Sequence, residues 1–144
     1  MSVQDQIEAY LASHPEPKRG ELRQLHQAIL GALPGCTLWF SDGKNEDGKV
    51  VANPSIGYGS YVIRYANGTT REFFQIGLSA NQSGISVHIM GIADKSALSA
   101  NFGSSIGKAS VTGYCVKFRK LSDIDLGVLV DAVRFGVAAS NNLD

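Results

Sequence analysis

The sequence lacks most of the features that would place it in a specialised class. Its 144 residues hold two cysteines, Cys36 and Cys115, far apart and outside any CxxC, so both read as reduced, buried small residues. Charge of either sign is not in excess: Lys+Arg and Asp+Glu each number 13. A nucleic-acid binder held by phosphate contacts needs a basic surface, so nucleic acid is not expected as a partner. The sequence has no long apolar run and no basic-then-apolar N-terminus. Neither a membrane span nor a signal peptide is expected, and the expected location is the cytoplasm. Internal repeats and low-complexity tails are absent from the sequence.

What remains is an ordinary globular composition, 44% hydrophobic and 18% charged, of the length of one domain, expected to span residues 1–144. The chain is organised around 55–91, which reads as three antiparallel strands. Asn67-Gly68 between alternating apolar runs predicts a two-residue hairpin with a type I′ turn. That turn sets Arg64 opposite Arg71, Val62 opposite Phe73 and Tyr61 opposite Phe74. One face then carries Tyr61, Ile63, Phe74, Ile76 and Leu78, with Gly57 and Gly59 at its end. The other carries Tyr58, Ser60, Val62, Arg64, Arg71, Phe73 and Gln75. A third strand, Gly84 to Met90, pairs with Ile85 opposite Leu78. It adds Ile85, Val87 and Ile89 to the first face and Ser86, His88 and Met90 to the second. The first face is apolar and must be covered.

Helices are expected at both ends. Ser2 caps the first, with Asp5 at its third position and Val3, Ile7, Tyr10 and Leu11 on one side. The second begins near Pro17, buries Leu22, Leu25, Ile29, Leu30 and Leu33, and ends at Pro34-Gly35. Short strands are expected at Cys36–Ser41 and Val50–Asn53, a short helix capped by Asp94 runs to Phe102, and 103–113 reads as loop. Tyr114–Phe118 is the last strand, and Ser122 caps a final helix with Asp123 and Asp125 near its positive end. The fold class is α+β, an antiparallel sheet covered on one face by N- and C-terminal helices.

Several chemistries fail on residue pattern. Gly103-Ser104-Ser105-Ile106-Gly107-Lys108 has three residues between its glycines and alanine after the lysine, so it is not a phosphate loop. It leaves Lys108 as a candidate anion contact. His14, His26 and His88 have no ligand spacing, and the Asp42–Asp47 loop lacks the alternating oxygens of a calcium loop, so no metal site or cofactor is expected. There is no GxSxG nucleophile motif. The second sheet face, with Tyr58, Arg64, Arg71, Phe73, Gln75 and His88, is the best candidate site. Two facing arginines repel unless an anion lies between them. Trp39 either joins the core or rims this face.

The segments Ile56-Gly57-Tyr58-Gly59-Ser60-Tyr61, Gly107-Lys108 and Lys117 to Leu129 resemble the YdhG-like family, a bacterial domain of unassigned function. The resemblance covers Tyr10 to Val137. It departs at Ala109–Gly113, where many members pass directly into the strand. It implies a fold similar to that of frataxin, with helices on one side of an antiparallel sheet, and raises an iron-chaperone-like role by analogy. The reading is a binding or carrier module, monomer or homodimer, taking a small anionic ligand or an acidic protein segment at Tyr58, Arg64, Arg71, Phe73, Gln75, His88 and Lys108. The iron role, or a small-molecule enzyme with an unrecognised site, is the alternative.

Overall fold

A computed structural model describes residues 2–141 of the chain. Its elements are α1 (Val3–Ala12), α2 (Lys18–Ala32), β1 (Leu38–Ser41), β2 (Ser55–Arg64), β3 (Thr70–Asn81), β4 (Gly84–Ile89), α3 (Ala97–Phe102), β5 (Ser110–Val111), β6 (Cys115–Phe118) and α4 (Leu126–Asn141). The strands form one antiparallel sheet in the order β1-β2-β3-β4-β6-β5. Against it α1 packs on β1 and α4 on β4, while α2 lies against both α1 and α4. The fold is thus α+β, an open antiparallel sheet covered by helices from the two ends of the chain. No helix of the described residues is long and apolar enough to cross a membrane.

Local chemistry explains most boundaries. At α1, Ser2 Oγ accepts from the Asp5 amide at 3.1 Å while the Asp5 carboxylate accepts from the Ser2 amide, a reciprocal cap. Ile7 and Leu11 are buried, and the Tyr10 hydroxyl accepts from the Ala80 amide at 3.0 Å, tying the helix to β3. In α2 the buried residues are Leu22, Leu25 and Ile29, at helical spacing, each burial worth about 1.5–3 kcal/mol.

Other boundaries differ from expectation. Ser122 does not cap α4, because it lies inside a 3-10 turn, Leu121–Asp123. Asp125 takes the role, its Oδ1 accepting from the Val128 amide at 3.2 Å. Asp94 spends its side chain on the amide and hydroxyl of Ser96, so α3 begins later, at Ala97. Val50–Asn53 is no strand: the Val51 and Ala52 amides both donate to the Gly43 carbonyl, leaving an isolated bridge between Lys44 and Val50. Within the glycine-rich loop, Ser110–Val111 pairs with β6 as the edge strand.

The largest correction concerns the central hairpin. The turn is not type I′, since Gly68 has φ 87° but no non-glycine residue among those described, Asn67 included, has positive φ. Instead the Gly68 amide donates to the Tyr65 carbonyl and the Tyr65 amide to the Thr69 carbonyl, which makes a three-residue loop closed by a left-handed glycine. One extra loop residue moves the register by one. Arg64 pairs with Thr70, Ile63 with Arg71 and Tyr61 with Phe73, so Arg64 and Arg71 do not face each other. Between β3 and β4 the pairing is Leu78 with Val87 and Ala80 with Ile85. This differs by two from expectation and therefore leaves the faces unchanged.

A second departure sits at one level of β2 and β3. Gly59 has φ 68°, and the pairing passes from Tyr58–Ile76 to Ser60–Phe74 with no pair between. Alternation breaks there on both strands. Tyr58 joins Ile56 in the core, Gln75 turns to the helix side beside Ile76, and Phe74 turns away from it. Of the residues expected under the helices, Ile76, Val87 and Ile89 are fully buried, whereas Ile63 is half-buried toward the hairpin end.

Helix α4 seats on β4 through Gly136. A Cβ at Gly136 would fall on the Ile89 side chain, and the Gly136 carbonyl accepts from Gln75 Nε2 at 3.2 Å. Gly31, in the last turn of α2, has open space around it. Both are helical glycines, and alanine is intrinsically better than glycine in a helix by up to about 1 kcal/mol. The two should nevertheless respond with opposite signs. Gly31→Ala is expected to stabilise by about 0.5 kcal/mol, and Gly136→Ala to destabilise by about 1–3 kcal/mol through overpacking. Urea unfolding of both variants beside wild type checks this. A stabilised Gly136→Ala protein would mean that α4 is not seated on Ile89.

Candidate functional site

The residues expected to form one site are distributed over four places. Tyr58 is fully buried in the core, its hydroxyl 2.6 Å from His26 Nδ1. Gln75 is buried too, its Nε2 bonded to the carbonyls of Met90 at 3.1 Å and Gly136 at 3.2 Å. Both are corrections with one cause, the break in alternation at Gly59 and Gln75, and both side chains hold the fold. Arg64 and Arg71 are exposed on the hairpin and separated by the register. Lys108 is exposed in the loop before β5. Phe73 and His88 remain on a common surface, where they line a cleft of about 480 Å³ on the open face of the sheet.

The cleft is built from two rows across the strands. One row runs Trp39–Gly57, Gly57–Gly77, Gly77–His88 and His88–Cys115 by register. The other links Ser41 to Ser55, Ser79 to Ser86, and Ser86 to Lys117. The glycine row is where the aromatic wall stands. A Cβ on Gly57 would come within 2.7 Å of Phe74 Cγ, and one on Gly77 within 2.7 Å of Phe74 Cε1, so the Phe74 ring lies across both glycines. Phe73 stacks on Phe74 with centroids 4.1 Å apart, Trp39 meets Phe73 at 6.2 Å, and the Arg71 guanidinium lies 4.8 Å above Phe73. The hydroxyl row is the floor, and Met90, Ala52, Asn53, Asn81 and Lys117 complete the lining.

Trp39 therefore belongs to this wall. Its Nε1 is buried without a hydrogen-bond partner among the described residues, at a cost of about 1–3 kcal/mol. Departures of that kind concentrate where a protein serves function over stability. Sequence reasoning missed Phe74, Lys117, Ser41, Ser55 and Ser79, placed Ser86 on this face, and left Trp39 open between core and rim. Glycines facing each other inside two strands were the available signal, because such glycines mark close approach of another group.

Burial sets the local electrostatics. His88 is half-buried, its ring 6.3 Å from the exposed Tyr114 ring and nearly parallel to it, and desolvation lowers its pKa. It is therefore neutral near pH 7 and can donate or accept. Cys36 and Cys115 are free and half-buried rather than fully buried, and desolvation raises both thiols. Lys117 is the formal charge in the cleft. No hydrogen bond joins His88 to a serine or cysteine among the described residues, so no pair there has the geometry of an activated nucleophile. No group of three or more His, Cys, Asp or Glu side chains among the described residues could hold a metal ion. Comparison with protein-family models, with curated proteins and with solved structures finds no match to this chain.

The pair of buried Tyr58 and half-buried His26 beneath the sheet gives a pH prediction. The Tyr58 hydroxyl has no other bonded partner among the described residues, so it donates to His26 Nδ1, and burial raises the phenol far above its ordinary value. His26 is depressed from 6.5, mainly by desolvation, with Glu8 opposing and Arg23 reinforcing. Its contribution is fully present above 6.5, where both folded and unfolded chains hold it neutral. As pH falls the unfolded chain binds the proton first, and stability drops until the folded pKa is passed. Protonation also removes the acceptor that Tyr58 needs. His26→Gln, whose amide oxygen can take the hydroxyl, should flatten the loss of urea stability between about pH 8 and about pH 5. A variant slope equal to that of wild type would remove His26 from the account.

Proposed function

We propose that this chain is a binding module whose open-face cleft takes a compact, planar ligand carrying a negative charge. The observation that carries the reading is the Phe74–Phe73 wall standing on paired glycines beside a hydroxyl floor that ends at Lys117. Aromatic faces supply stacking area at low entropy cost, hydroxyls orient, and a single cation fixes polarity. The cleft volume of about 480 Å³ lies in the range of small-molecule sites, which favours a small ligand over an acidic protein segment. Absence of an activated nucleophile among the described residues favours binding over catalysis at this cleft. The resemblance to the YdhG-like family is part of the same proposal and supplies no ligand; an iron-handling role would rest on fold analogy alone.

A calorimetric or thermal-shift screen of aromatic carboxylates, aryl phosphates and metal ions tests the reading. A ligand found in that screen should bind Lys117→Gln at least about ten-fold more weakly, since a charged hydrogen bond is worth about 1.5 kcal/mol or more. Phe73→Ser should weaken it similarly, whereas Arg64→Ser, outside the cleft lining, should leave it unchanged. Binding that survives in a folded Lys117→Gln protein, or tight stoichiometric iron lost on acidic substitutions, would move the function elsewhere.

A further inference from the structure

A second concavity, of about 690 Å³, lies at the far end of the sheet, beyond β6. Lys108, Lys117, Arg119 and Lys120 line it, with Asp123 the sole carboxylate among its lining residues. The chain as a whole carries equal numbers of cations and acids, so a local excess of three positive charges is a concentrated feature. All four cations are exposed, and none of their side chains has a hydrogen bond or ion pair with a described residue. Like charges around one concavity repel, and a multivalent anion relieves that repulsion at every pair at once.

The backbone that carries these charges is firmly held. The Lys108 amide donates to the Asp123 carbonyl at 2.8 Å, Gly107 bridges Ile124, and the Asp125 amide donates to the Ile106 carbonyl at 2.8 Å. Gly107 takes φ 108°, and a Cβ there would strike the Asp123 carbonyl, so the loop is closed against the segment leading into α4. Lys117 is fixed on β6 between Ser86 and Ser110. Lys120 directly precedes the 3-10 turn. Cations on pinned backbone lose less freedom on binding than cations on mobile loops.

We propose that this cleft binds an oligophosphate group, in a site that shares Lys117 with the open-face cleft and otherwise draws on different residues. The site is not a phosphate loop, since it draws on converging side chains rather than on a glycine-rich turn before a helix. Several cations spread around one depression match a chain of phosphates better than a single compact oxyanion. Asp123 is the opposing charge and sets how much anionic character the site requires.

The test is isothermal titration calorimetry of the whole chain with inorganic tripolyphosphate and with sulfate at low ionic strength. Tripolyphosphate should bind at least about ten-fold more tightly than sulfate, and its affinity should fall several-fold as salt is raised, because exposed charges are screened. Lys108→Ser/Arg119→Ser/Lys120→Ser leaves Lys117, and hence the open-face cleft, intact. It should weaken tripolyphosphate by at least about ten-fold, since each charged contact contributes. Asp123→Asn should tighten it by about two-fold or more. Circular dichroism establishes that both variants are folded. Equal affinity for sulfate and tripolyphosphate, or an unchanged affinity in the folded triple variant, would overturn the proposal.

Discussion

The Phe74 ring lying across Gly57 and Gly77 is the contact on which the rest of the sheet depends. Any side chain at either glycine would occupy the space of the ring, so the ring can lie flat on these two strands only with both glycines present. Just beyond that contact the chain must recover its direction, and it does so with a left-handed Gly59 on β2 and a turned Gln75 on β3. The consequences run both ways through the sheet. Inward, Tyr58 and Gln75 enter the helix layer, where His26 and the Gly136 carbonyl receive them. Outward, Phe73 is left packed on Phe74 and half-buried beside the hydroxyl floor. One local packing event thus supplies an internal polar lock and an external aromatic wall.

The fold was legible wherever a single period governed a segment. The stripes of α1 and α2 and the alternation of β4 placed Ile7, Leu11, Leu22, Leu25, Ile29, Val87 and Ile89 in the core, and the structure buries them all. Legibility failed where two local signals competed. Asn67-Gly68 fits two hairpin loops, and the chain uses the longer one, so a one-residue slip reversed the expected partner of every residue in the hairpin. Strict alternation was carried through Gly59, although a glycine inside a strand is itself a sign of a bend. The two-residue error between β3 and β4 did no harm, because a shift of two preserves faces while a shift of one exchanges them.

The candidate site was legible in kind and only partly in membership. A half-polar open face bearing Phe73, His88, Ser86 and Met90 was readable from alternation, and those four residues do line one cleft. Tyr58 and Gln75 were wrongly assigned to it because alternation breaks beside them. Lys117 and Ser41 could not be found by any local rule. Each comes from a strand whose place in the sheet order is set by tertiary packing, and a row across five strands has no signature along the chain. Lys108 was singled out for its neighbourhood of glycines. Its company of Lys117, Arg119 and Lys120 is created by the pairing of β5 with β6.

Polar groups on the two sides of the sheet are treated differently, and that difference bears on function. On the helix side the buried Gln75 amide nitrogen and the Tyr58 hydroxyl are both bonded, as buried polar groups must be if they are not to cost stability. On the open side Trp39 Nε1 is buried without a partner among the described residues, and four cations crowd a concavity with one carboxylate. Stability alone would have removed these arrangements, since an apolar ring in place of the indole, or one more acid beside the lysines, is a simple change. Groups that serve the fold are saturated here, whereas Trp39 Nε1 and the side chains of the four cations are left with capacity to spare. A binding module needs that division, because a surface whose polar groups are already satisfied internally has nothing to offer a ligand.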